Sequence, residues 1–179
     1  MRVVGGSARG RALRSPKGDD IRPTSDRVRE AVFNMVESRG GVDGATVADL
    51  FAGTGALGVE ALSRGAEHVA FVDKDRQASD LIKANLDFLG FADRATIVRT
   101  DVLRWIAATP KVDVAFADPP YEFDQWPAVL DGLRAELVVL ESDRELDLGE
   151  RWRLLRCKHY GSTVVLVAQL ALDTPGDDR

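Results

Sequence analysis

The chain has 179 residues, 45% of them apolar and 30% charged, an ordinary balance for one folded domain with a buried core. No apolar run approaches the ~20 residues that span a bilayer. No hydrophobic signal segment follows Met1, and the single cysteine, Cys157, has no internal disulfide partner, so a helical membrane protein and a disulfide-stapled secreted domain are excluded and the cytoplasm is the expected location. The net charge of −5 is unevenly placed. Arg2, Arg9, Arg11, Arg14 and Lys17 meet no acidic residue in the first 18 positions, and the body of the chain is acidic. A basic arm on an acidic body suggests a local phosphate-binding surface, although a solvated tail would read the same way.

In chain order, Val3-Val4, Gly5-Gly6 and Ala12-Leu13 predict a short hairpin or extended arm. Arg22-Pro23-Thr24 precedes a helical pattern of Val28, Ala31, Val32, Met35 and Val36, capped by Thr24 or Ser25 and ended by Gly40-Gly41. From Thr46 the period changes, and apolar runs of strand length alternate with amphipathic helices. Strands are expected at 47–51, 69–72, 95–99, 112–117 and 137–140, with helices at 57–63, 78–89, 102–107 and 126–133. Such alternation indicates a parallel sheet covered on both faces. The segments 152–159 and 162–170 are joined by a Tyr-Gly turn, with no room for a crossover, and should pair antiparallel. The expected fold is therefore α/β, a seven-stranded, mostly parallel Rossmann-like sheet with a C-terminal antiparallel hairpin. An N-terminal basic arm and helix (1–40) precede the main domain (41–172), and 173–179 read as a disordered tail.

After the first strand comes Asp49-Leu50-Phe51-Ala52-Gly53-Thr54-Gly55-Ala56-Leu57-Gly58, with Asp73 at the end of the second strand. Gly53, Gly55 and Gly58 satisfy G-x-G-x-x-G, so a dinucleotide site and an S-adenosylmethionine site both remain open. Charge favours the second, because a carboxylate at Asp49 attracts an ammonium and repels a pyrophosphate. Asp73 can hold ribose hydroxyls in either case. Asp101 is placed either to face an adenine or to cap the helix that begins at Val102.

Asp118-Pro119-Pro120-Tyr121 follows the fourth strand. It has the form [D/N/S]-P-P-[Y/F/W], the signature of methyltransferases acting on exocyclic amines. Such an amine has its lone pair drawn into the ring. Hydrogen bonds from its N–H groups to the Asp118 side chain and the Pro119 carbonyl would free that lone pair. The two prolines hold the carbonyl rigid. Tyr121 offers a stacking face worth about 1–3 kcal/mol per base, and the base must leave its own stack to reach it. No metal is expected, because a sulfonium is already a good leaving group. Cys157 lies too far along the chain to serve as a pyrimidine-C5 nucleophile. His68 and His159 lack zinc-site spacing, and Ser63 and Ser142 lack a nucleophile-elbow context. Trp105, Trp126 and Trp152 read as core or rim.

With these segments placed, residues 1–170 resemble the RsmD family of bacterial 16S ribosomal RNA guanine-N2 methyltransferases. The resemblance rests on Arg2-Val3-Val4-Gly5-Gly6 with Arg9-Gly10-Arg11, on the segment from Arg22 to Glu30, on Asp49 to Ser63, and on Asp118 to Tyr121. It implies a class I S-adenosylmethionine-dependent fold acting on 16S rRNA, in the small ribosomal subunit or its assembly intermediate, as a monomer away from membranes. It implies cofactor contacts by Asp49, Phe51, Gly53, Gly55, Asp73, Lys74, Asp101, Val102 and Asp118. Chemistry falls to Asp118, Pro119, Pro120 and Tyr121, and RNA contact to Arg9, Arg11, Arg22, Thr24 and Arg27. The competing readings are a DNA adenine or cytosine N-methyltransferase, a nicotinamide-dependent oxidoreductase, and an RNA-binding assembly factor without activity.

Overall fold

A computed structural model describes residues 1–15, 26–108 and 111–171. Arg22 and Thr24, both expected to contact RNA, the two candidate caps of the first helix and the expected tail lie outside the described residues. Seven strands form one sheet in the order β3-β2-β1-β4-β5-β7-β6. The strands are β1 (Thr46–Leu50), β2 (His68–Asp73), β3 (Ala95–Arg99), β4 (Val112–Ala117), β5 (Ala135–Ser142), β6 (Trp152–Tyr160) and β7 (Thr163–Leu170). The first five run parallel. β7 pairs antiparallel with β5 and with β6, as a two-residue turn requires.

Among the described residues five α-helices cover the sheet: α1 (Asp26–Glu37), α2 (Ala56–Ser63), α3 (Arg76–Leu89), α4 (Val102–Ala108) and α5 (Trp126–Gly132). One face packs Val47, Phe71, Val114, Phe116 and Val139 against α1, α2 and α3. The other packs Ala48, Leu50, Ala115, Ala117 and Leu140 against α4 and α5. β1 and β4 are buried on both faces, which accounts for their continuous rather than alternating apolar runs. Where the elements differ from the sequence expectation, the ends move. α3 starts two residues earlier because Asp75 caps it, accepting the Gln77 N–H at 2.7 Å. β5 is longer at both ends because β4 and β7 pair along it.

The N-terminal arm is folded onto the body. Arg2 and Ala12 form a β-bridge, and Val3, Ala8 and Leu13 join the same core cluster as α1 and the sheet. Every residue of α2 is buried, since the arm closes its outer side. The Ser7 N–H donates to the Ser63 carbonyl at 2.7 Å, and the Ser63 hydroxyl donates to the Gly5 carbonyl at 2.6 Å. Gly6 sits at φ +72°, where a Cβ would stand 1.9 Å from the Ser63 carbonyl oxygen, so only glycine lets arm and helix approach.

Beneath this contact lies a buried ion pair. Arg29 of α1 and Glu60 of α2 are both inaccessible to solvent, with Arg29 Nε 3.7 Å from Glu60 Oε2. Glu60 also accepts from the Val4 N–H at 2.8 Å and from Arg64 Nε at 2.9 Å. Arg29 reaches Asp26 at 2.8 Å and the Arg2 carbonyl. A single glutamate thus ties the arm, α1 and α2 together.

Candidate active site

Parallel strands end on the same edge of the sheet, and the order reverses between β1 and β4, where an open α/β sheet presents its ligand crevice. A cavity of about 690 Å³ opens there, within the range of small-molecule and cofactor sites. The register explains its lining. Leu50, Ala117 and Leu140 pair across β1, β4 and β5, so Phe51 and Asp118, just past the ends of β1 and β4, stand level with Glu141, which is still within β5. Asp73 ends β2 beside Arg99, and Asp101 follows β3. Phe51, Asp73, Asp101, Asp118 and Glu141 line the cavity together with Asp49, Gly53, Lys74, Val102, Pro119, Pro120 and Tyr121.

The glycine loop is built by hydrogen bonds to two of the carboxylates. Asp73 accepts from the Gly53 N–H at 2.9 Å and, through its other oxygen, from the Asp75 N–H at 2.9 Å. Asp49 accepts from the Gly58 N–H at 2.8 Å. A Cβ on Gly58 would lie 2.3 Å from the Phe71 ring and 3.0 Å from Asp49 Oδ2, so the third glycine is a packing requirement. Gly55, expected at the cofactor, is the N-cap of α2 in a left-handed conformation beneath Ile82 and Phe71. Phe51 is the non-glycine residue with positive φ among the described residues, at 59°. That geometry costs on the order of 1–3 kcal/mol. It is held by the Phe123 ring, edge-on at 4.9 Å, which itself packs on Trp126.

Among the described residues lining the cavity are six carboxylates (Asp49, Asp73, Asp101, Asp118, Glu122 and Glu141) and one cation, Lys74. Asp49 is 2% exposed, and burial pushes its carboxyl up to about 8. The Gly58 N–H opposes the rise, and the charges of Asp118 and Asp73 add to it. Such a cavity repels a pyrophosphate and attracts a ligand carrying positive charge. Asp101 caps α4, its Oδ1 accepting from the Leu103 and Arg104 N–H groups at 3.0 and 3.3 Å, while it also lines the cavity. The capping role weighed for it is present.

Pro119 is buried, Pro120 exposed, and the Phe123 N–H donates to the Pro120 carbonyl at 2.9 Å, closing a turn after the motif. Tyr121 is 39% exposed at the rim, its hydroxyl 3.4 Å from Thr163 Oγ1 on β7. Val28 of α1 and Tyr160 of β6 complete the wall, and neither was assigned to the site from the sequence. Trp126 and Trp152 are buried, Trp152 Nε1 donating to the Leu130 carbonyl at 2.8 Å.

The expected RNA contacts divide. Arg9 and Arg27 are exposed. Arg11 lies over the Phe88 ring at 4.6 Å and donates to the Phe88 carbonyl at 2.8 Å. Phe88 is near the far end of α3, roughly 20 Å along the axis from Asp75. Arg11 is therefore not brought to the cavity.

The model of a family described as conserved hypothetical protein 95 matches residues 1–169. A Bacillus subtilis relative named "Putative rRNA methyltransferase YlbH" is 39% identical, over 93% of this chain and 97% of its own. Ribosomal RNA small subunit methyltransferase D of Haemophilus influenzae is 33% identical, over 90% and 89%. Among solved structures, "Putative methyltransferase yhhF" of Escherichia coli superposes with a TM-score of 0.84 at 32% identity, over 95% of this chain and 97% of the other.

Proposed function

The chain belongs to the family described as conserved hypothetical protein 95, and from that premise we propose that it methylates the N2 amine of a guanine in small-subunit ribosomal RNA, using S-adenosylmethionine. The observation that carries the reading is Asp118-Pro119-Pro120-Tyr121 on the wall of an acid-lined cavity at the strand ends.

The cavity suits S-adenosylmethionine, whose ammonium and sulfonium meet carboxylates on several sides. Asp49, on β1 and bonded to the Gly58 N–H, is there to receive the ammonium, and Asp73 keeps lone pairs for ribose hydroxyls beyond those its backbone donors use. Asp101 and the backbone of Val102 face the adenine. When bound, the cofactor supplies an electrophilic methyl group on sulfur. The remaining work belongs to the protein. Asp118 and the Pro119 carbonyl accept from the two N–H groups of the amine and aim its lone pair. Tyr121 stacks the extruded base at the rim. Alignment of this kind supplies up to about 7–11 kcal/mol in model reactions.

Glu141, beside Asp118, gives the site a preference among bases. Guanine carries an N1–H next to its amine, where adenine and cytosine carry a ring acceptor. A carboxylate there accepts from guanine and repels the other two. RNA is held by the exposed Arg9 and Arg27, and the acidic body confines its contact to the arm and the rim. Among the described residues no helix is long and apolar enough to cross a membrane.

The reading is tested by supplying methyl-labelled S-adenosylmethionine with small ribosomal subunits that lack the modification and with genomic DNA. Label is expected in the RNA of the subunit. Label in DNA would replace the reading by that of a DNA N-methyltransferase.

A further inference from the structure

The terminal hairpin gathers three metal-binding side chains that the proposed reaction does not use. Cys157 and His159 lie two residues apart on β6, so the pleat turns both to one face of the strand. Glu145, in the connection from β5, reaches the same point. Its Oε1 is 3.1 Å from His159 Nε2, and the sulfur, nitrogen and oxygen ligand atoms all lie within 4.8 Å of one another. We propose that Glu145, Cys157 and His159 form a binding site for a single zinc-class divalent ion.

The donor set selects the ion. Magnesium and calcium take oxygen ligands throughout, whereas thiolate, imidazole and carboxylate together suit zinc and its borderline-soft neighbours. Tetrahedral zinc with bonds of about 2.0–2.3 Å holds its ligand atoms about 3.5 Å apart. The widest separation therefore closes by about 1 Å, which rotation of the exposed Glu145 and His159 side chains provides. Cys157 is fixed against the core cluster that contains Trp126 and Leu148, so the site has one rigid corner and two adjustable ones. β6 is the outer strand of the sheet, so the ion enters directly from solvent.

Three protein ligands leave a fourth position for water, and the ion would clip the β5–β6 connection onto the edge strand. Arg144, in that connection, donates to the Phe123 carbonyl at 3.5 Å, so the clip stiffens the side of the cavity on which Phe123 lies. Sequence spacing conceals the site, because Glu145 is distant along the chain and the hairpin supplies the proximity.

The test is a cobalt titration of the full chain after chelation and dialysis. One equivalent is expected to bind, with a thiolate-to-cobalt charge-transfer band in the near ultraviolet and visible bands of four-coordination that zinc abolishes. Cys157→Ser should remove the charge-transfer band. His159→Ala and Glu145→Gln should each weaken binding by at least about tenfold, as loss of even an outer partner does in known sites. Affinity for S-adenosylhomocysteine, unchanged in all three, certifies their fold. Native mass spectrometry of the wild-type chain gives the zinc stoichiometry without any variant. No bound zinc there, or a cobalt band that survives both His159→Ala and Glu145→Gln at unchanged affinity, overturns the proposal.

Discussion

Replacing Asp49 with asparagine should raise stability and lower cofactor affinity, and the size of each effect follows from its surroundings. The carboxyl is 2% exposed, and burial pushes its pKa up to about 8 from the ordinary 3.8. Between those values the native state holds a proton that the unfolded state has lost, so this group makes stability fall as pH rises and level off above about 8. At about 1.4 kcal/mol per pKa unit, the full cost above pH 8 is at most about 6 kcal/mol. Asparagine carries no such cost and still offers an oxygen to the Gly58 N–H. The variant without ligand should therefore melt about 10 °C or more above wild type near pH 9, at 2–4 °C per kcal/mol for this size, with little difference near pH 4. Binding should move the other way. A bound ammonium favours ionised Asp49, so cofactor binding releases up to one proton below about pH 8, and affinity rises by as much as tenfold per pH unit until it flattens. Calorimetry in two buffers of different ionisation enthalpy counts the proton. The asparagine variant should bind roughly ten- to a thousandfold more weakly, the worth of a charge pair of a few kcal/mol. Wild-type affinity that is flat from about pH 6 to 8 with no proton released, together with no stability gain in the variant, would refute this reasoning.

Glu60→Gln removes the charge opposite the buried Arg29 and should cost about 3–5 kcal/mol, measured by urea unfolding; joint replacement of Arg29 and Glu60 by methionine and leucine should recover much of that loss. Glu141→Gln should lower methyl transfer to guanine while leaving S-adenosylhomocysteine affinity as it was, and equal loss of both in kinetics and calorimetry would remove its role in base choice. Replacing exposed Arg9 and Arg27 with alanine should weaken RNA binding and reduce the slope of log affinity against log salt by about 1–2. An unchanged slope would show that neither meets a phosphate.

The strand-end carboxylates were legible because parallel strands deliver consecutive ends to one edge, so Asp49, Asp73, Asp101 and Asp118 could be grouped without coordinates. The proline motif was legible for the same reason. The fixing of the arm was not. Arg29 stands in the register of Val32, Phe33 and Val36 on the buried stripe of α1, and a sequence reading treats an arginine there as solvent-facing. The available signal was Glu60, set within the apolar helix 56–63, where an acid needs a partner. Arg11 was assigned to RNA from its charge and from the family resemblance, and neither reveals that its side chain also rests on Phe88. Glu141 and Tyr160 were missed because their place depends on the pairing of β5, β7 and β6, which local patterns do not encode.

Methylation at a defined guanine stands or falls on one measurement. Small subunits lacking the modification are treated with wild-type protein or with Asp118→Ala, and their 16S RNA is digested and read by nucleoside mass spectrometry. The account predicts N2-methylguanosine approaching one per particle with wild type and a loss of at least about a hundredfold in rate with the variant, as removal of a group that binds the reacting centre produces. N6-methyladenosine or a methylated cytosine in its place, or undiminished transfer by Asp118→Ala, would contradict it.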